Sequence, residues 1–155
     1  MSHEAWMAQA IEQARAGVAG GQSPFGAIVV RDGQLVAGGH NEVWHRCDPT
    51  AHAEVVAIQN AAAALKSIDL SGCTMYTTCE PCPMCAAAIH WSRISDVYFG
   101  ATIADARRAG FNELILSATD VYTMGGSPVR ITSGVMQREC AALFDEWLAR
   151  QPRAY

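Results

Sequence analysis

Two short stretches about 30 residues apart, His52-Ala53-Glu54 and Pro81-Cys82-Pro83-Met84-Cys85, supply one imidazole, two thiols and a spare carboxylate. Any fold of this chain has to bring them together. Catalytic zinc takes three protein ligands and keeps a fourth position for water. Cys82 and Cys85 stand three residues apart, hence on one face of a helix. Pro83 suits the first turn of that helix, where the dipole and free N–H groups favour thiolate. His52 is the third predicted ligand, so Zn²⁺ is the predicted cofactor. Two thiolates balance the metal's charge and make it a mild Lewis acid, so help with the water proton is valuable. Glu54 is that help, predicted to take a proton from water and pass it on to the reacting group. Such acid–base assistance is worth about 10²–10⁴ in rate. The competing arrangement is a closed structural site with Cys79, three residues before Cys82, as fourth ligand. That site gives no use to a Glu two residues after the His.

Six cysteines could form three disulfides. The N-terminus lacks a basic region followed by an apolar run, which predicts no signal peptide and a cytoplasmic, reducing compartment. CxxC spacing then points to metal. No apolar run reaches membrane-spanning length. The net charge of −4 leans away from a phosphate backbone and toward a small substrate. Length predicts one domain over residues 1–155.

The apolar spacing predicts a helix over 3–16 with Trp6, Met7, Ala10, Ile11 and Ala14 inward. Strands 25–31 and 34–39 around Asp32-Gly33 read as a hairpin. Thr50 is the expected N-cap of a helix to about 66, with Val55, Ile58, Ala62 and Leu65 on one face. A strand over 73–78, a helix from Pro83 to about 92 and a strand over 95–100 follow. After them come a short helix over 103–109, an irregular stretch with local order over 111–127, a strand over 129–132 and a last helix over 135–149. Met136, Cys140, Leu143, Phe144 and Trp147 face inward on that helix. Alternating strands and helices predict an α/β fold with a sheet covered on both faces.

Beyond the metal motif, Pro24-Phe25-Gly26-Ala27, Gly39-His40-Asn41 and Cys79-Glu80-Pro81 add to a pattern covering nearly the whole chain. The chain resembles the cytidine deaminase superfamily, whose zinc enzymes carry H-x-E and P-C-x-x-C. Within it, the chain is similar to the branch of guanine deaminases and tRNA adenosine deaminases. The resemblance implies a three-layer α/β/α sandwich with a five-stranded mixed sheet, a bound zinc and a homodimer. It implies His52, Cys82 and Cys85 as ligands and Glu54 as proton shuttle. Asn41 would hydrogen-bond the base, and the Ala53 N–H would hold a ring carbonyl or nitrogen. Phe25 belongs to the same implied site.

Three features resemble guanine deaminases. Trp91 follows Ile89-His90 and offers a flat face for a purine, or is a plain core Trp. Ala109-Gly110-Phe111-Asn112-Glu113 matches a stretch in which the acid accepts the N1–H that guanine offers. Glu113 is that acid here, or else a solvated surface residue. Tyr155 ends the chain as in relatives where a Tyr closes the site, sometimes across a swapped dimer, or else the tail is frayed. Asn112 departs from the family's second acid. The segment from Pro128 to Leu143 is closer to the tRNA deaminases, without their basic C-terminus.

The expected function is therefore hydrolysis of guanine to xanthine and ammonia. Deamination of adenosine in tRNA, of cytosine, of a nucleoside or of another small aminated heterocycle are the alternatives, and a zinc-stabilised binding module is the non-enzymatic one. Cys47, Cys73 and Cys140 are expected to be small buried hydrophobes and Met84 to pack. His90 is expected at a helix surface or pocket rim.

Overall fold

A computed structural model describes all 155 residues. The β1 strand (Gly26–Arg31) pairs antiparallel with β2 (Gln34–His40) on one side and β3 (Cys73–Cys79) on the other. The remaining strands, β4 (Asp96–Ala101) and β5 (Arg130–Thr132), add in parallel, giving the order β2-β1-β3-β4-β5. Asp32 and Gly33, both at positive φ, close the β1–β2 hairpin, as a two-residue turn of this type requires.

The continuous apolar run of β1 follows from burial on both faces of the sheet. Ile28 and Val30 point to one layer, with Met7, Ile11 and Ala14 of α1 (His3–Ala19) and Leu143, Phe144 and Trp147 of α7 (Gln137–Leu148). Ala27 and Val29 point to the other layer, with Ala57 and Ala61 of α3 (Ala53–Leu65) and Ala86 and Ile89 of α4 (Pro83–Ser92). Met75, Val97 and Leu143 are fully buried, each worth roughly 1.5–3 kcal/mol of burial. The result is a helix–sheet–helix sandwich with a mixed five-stranded sheet. No helix is long and apolar enough to cross a membrane.

Local departures from the sequence reading have physical causes. α1 runs on to Ala19 because Gly17 is no stop; a Cβ there would come within 2.9 Å of the His40 ring. The chain turns only at Gly21, at φ +83°. His52, not Thr50, is the N-cap of α3. The deep face of α3 is Ala53, Ala57 and Ala61, with Ile58, Ala62 and Leu65 half-buried at its margin. Only small side chains fit there: a Cβ on Gly39 of β2 would lie 2.9 Å from the Ala57 backbone nitrogen. The irregular stretch 111–127 contains a helix, α6 (Ala118–Gly125), capped by Ser117. Two short helices complete the chain, α2 (Val43–Arg46) and α5 (Ile103–Arg108). Cys47 is exposed rather than buried, whereas Cys73 and Cys140 are buried.

Candidate active site

The α3 and α4 helices begin side by side at the C-terminal ends of the parallel strands, where ligand sites in α/β folds form. Each begins on a metal-type ligand: His52 is the N-cap of α3 and Cys82 the N-cap of α4, and neither makes a side-chain cap bond. Cys85 follows in the first turn of α4. The ligand atoms of His52, Cys82 and Cys85 lie within 4.8 Å of one another. His52 Nδ1 stands 3.6 Å from Cys82 Sγ and 3.5 Å from Cys85 Sγ. Zinc bonds of 2.0–2.1 Å to nitrogen and 2.3 Å to sulfur, at a tetrahedral angle, put such atoms about 3.6 Å apart. The donor set and its spacing therefore fit zinc.

The two thiols share their first proton loss unequally. Cys82 is pulled down to about 4 by the hydrogen bond from Cys85 and by His52. Cys85 is pushed well up by its bond to Cys82 and by burial. A divalent cation removes that competition, because each ligand binds it as thiolate. Cys79 does not join the set: its thiol donates to the Thr102 carbonyl at 3.5 Å, so the donor set stops at three.

Glu54 sits in the first turn of α3 and is only 5% exposed. Burial, with the negative charge of Cys82, pushes its carboxyl up, toward holding a proton. Thr77 of β3 lies beneath it, with its hydroxyl 3.2 Å from both Glu54 Oε1 and the Cys79 carbonyl.

Over this floor lies a cavity of about 240 Å³. Its walls include Phe25, Phe111, Glu113, Leu114, Met84 and Tyr155. Met84, expected to pack, lines the rim and is 36% exposed. Phe111 is wedged edge-on against Phe25 at 4.9 Å and stacked on Trp147 at 4.9 Å, which anchors the loop carrying Glu113. Burial first, then the Cys82 and Glu54 charges, raise the Glu113 carboxyl to about 7.

The tail reaches the same cavity of its own chain. Gln151 reverses direction at φ +51°, Arg153 lies over the Trp44 ring at 4.4 Å, and the Tyr155 carbonyl accepts from Asn112 N–H at 3.0 Å. Its hydroxyl meets the Asn41 amide nitrogen. Asn41 itself is fully buried, with its carbonyl accepting from Val43 N–H at 3.1 Å. Ala53 is buried at the uncapped start of α3.

Of the expected site residues, Asn41 and Ala53 lie buried behind the cavity lining, and Trp91 stands away from the cavity altogether. It stands six residues after Cys85, about 240° round the helix, and is 81% exposed. It shares a separate depression with Ile68, Arg93 and Pro128. His90 is exposed and bonds Ser127 at 2.7 Å. Sequence reasoning missed Thr77 and Glu80. Thr77 read as one more β-former; only strand parity, set against Glu54, could have singled it out. Glu80 lines the cavity, and its contacts are all distant in sequence.

The sequence profile of the cytidine and deoxycytidylate deaminase zinc-binding region matches residues 1–101. The guanine deaminase of Bacillus subtilis (strain 168) is 47% identical over 114 residues, 73% of each chain. A tRNA-specific adenosine deaminase of Haemophilus influenzae is 38% identical over 139 residues, covering 89% of this chain and 78% of the relative. The solved guanine deaminase from Nitrosomonas europaea superposes with a TM-score of 0.88 at 31% identity, covering 96% of this chain and 85% of that one.

Proposed function

The chain belongs to the cytidine and deoxycytidylate deaminase zinc-binding family and is a hydrolytic deaminase; from that premise we propose that it converts guanine and water to xanthine and ammonia. His52, Cys82 and Cys85 would hold a Zn²⁺ that lowers the pKa of water toward about 7. Glu54, buried and with its carboxyl pushed up so that its carboxylate is a stronger base, takes a proton from water, passes it to a ring nitrogen and later gives one to the departing amine. The base lies between Phe25, Phe111 and Tyr155. Asn41 and the Ala53 N–H hold its polar edge, and the Glu113 carboxylate accepts the N1–H. In this reading Tyr155 closes the site from its own chain, and its hydroxyl yields the Asn41 amide to the base. A homodimer and a cytoplasmic location belong to the same reading.

The observation that carries guanine over other rings is Glu113, a half-buried carboxylate facing a cavity of about 240 Å³. That volume falls below the roughly 300–1,000 Å³ of drug-sized ligand sites and suits a bare ring system. Adenine and cytosine offer no ring N–H at the matching position. A second reading, deamination of adenosine in tRNA, is favoured by the match to tRNA deaminases over 89% of the chain. Arg150 and Arg153 beside Trp44 would then meet phosphates. Ammonia release from guanine against tRNA, together with salt-sensitive tRNA binding, separates the two.

A further inference from the structure

We propose that Glu80 is a positioning residue that sets the base-binding wall against the metal floor. Helix N-termini leave several N–H groups without intrahelical partners. The Thr102 hydroxyl, the N-cap of α5, accepts from Asp105 N–H, and the Ser117 hydroxyl, the N-cap of α6, accepts from Asp120 N–H. Those caps leave the first N–H of each helix unserved, and Glu80 takes both. Its Oε2 accepts from Ile103 N–H at 3.2 Å and its Oε1 from Ala118 N–H at 3.1 Å. One carboxylate therefore clasps the start of α5 and the start of α6. Residues 109–117 join these helices and carry Phe111, Asn112, Glu113 and Leu114.

The other side of the clasp is the metal loop. Glu80 stands two residues before Cys82, and its own N–H donates to the Ala101 carbonyl at 2.8 Å, fixing it to the end of β4. Both carboxylate oxygens are occupied by backbone donors, so Glu80 acts on the base through the wall it holds. Glutamine keeps the length of the side chain and one carbonyl acceptor, but its NH₂ cannot accept the second N–H.

The proposal rests on the reading of Glu113 as the ring-binding acid, and its test has one arm independent of substrate. Hydrogen exchange of the zinc-loaded protein is compared for wild type, Glu80→Gln and Glu80→Ala. The expected result is faster exchange at Ile103, Ala118 and across 109–117, with β1 and β3 unchanged. Kinetics are measured on whichever base the wild type deaminates. Glu80→Gln should raise KM about tenfold, as for the loss of a hydrogen bond to a charged group, with kcat within about threefold and zinc content unchanged. In the double variant with Glu113→Gln the two KM effects should fail to add, since one residue acts through the other. If Glu80→Ala does not fold, Glu80→Gln carries the test. Unchanged exchange over 109–117, lost zinc with unchanged KM, or additive effects would overturn the proposal. Turnover of a ring other than guanine would sink the guanine reading, while the exchange data and the KM for that ring still decide the role of Glu80.

Discussion

The floor of the cavity and its walls are built on different plans. The floor comes from two helix N-termini, with His52, Glu54, Cys82 and Cys85 placed by residues adjacent to them in sequence. Its chemistry is written in the motif. Apart from Met84, the walls come from residue 25, the 109–117 loop and the last residue of the chain, and are assembled by contacts spanning most of its length. A floor of this kind fixes the reaction, water added and ammonia lost. Walls of this kind fix which ring is presented, and they can change without disturbing the metal. The relatives that this chain is similar to include a guanine deaminase and a tRNA-specific adenosine deaminase, two classes that differ in substrate.

Substitutions can break or sharpen that contrast. The largest effect is expected in the floor: Glu54→Gln should lower kcat by about 10²–10⁴ while zinc content stays intact, as measured by steady-state kinetics and metal analysis. In the wall, Glu113→Gln should lower kcat/KM for guanine by about tenfold or more at pH 8. Because Glu113 is raised to about 7, its carboxylate form is lost as pH falls through that value. Wild-type kcat/KM should drop there, and the variant should lack that limb. Stability should show the opposite trade. The folded carboxyl holds its proton between pH 4.5 and about 7 while the unfolded one releases it. The native state then binds more protons, and stability falls as pH rises through this window. Glu113→Gln should raise Tm at pH 8 and leave it nearly unchanged at pH 4.

Back in the floor, Thr77→Val should lower kcat about fivefold with KM steady, because the hydroxyl orients Glu54. Thr77→Ser should restore most of the loss, and an equal loss in both variants would remove Thr77 from that role. The smallest effect is expected outside both regions. Trp91→Ala should change kcat/KM by less than about twofold, since the ring faces solvent away from the cavity.

Legibility from sequence divides along the same line. Ligands separated by three residues in a helix face one way, so the Cys82–Cys85 pair was readable without a fold. The alternation of strands and helices was likewise enough for a covered sheet, because helices that connect successive strands pack on its faces. Trp91 misled because its distance from Cys85 along the chain says little about direction; the helix turns it outward. The α6 helix was hidden because eight residues carry too short an apolar spacing to stand out from a loop. Glu80 stood in the motif, but its role was invisible for a deeper reason. Its partners are backbone N–H groups 23 and 38 residues away, and a backbone donor leaves no mark in the sequence.

The measurement that tests the account most directly is ammonia release by the zinc-loaded protein. The panel is guanine, guanosine, adenine, adenosine, cytosine, cytidine and a tRNA anticodon stem-loop, with Glu54→Gln as the blank. The account predicts release from guanine that disappears in the blank. Release from the stem-loop or another ring, with none from guanine, would contradict the assignment of the walls and leave the floor standing.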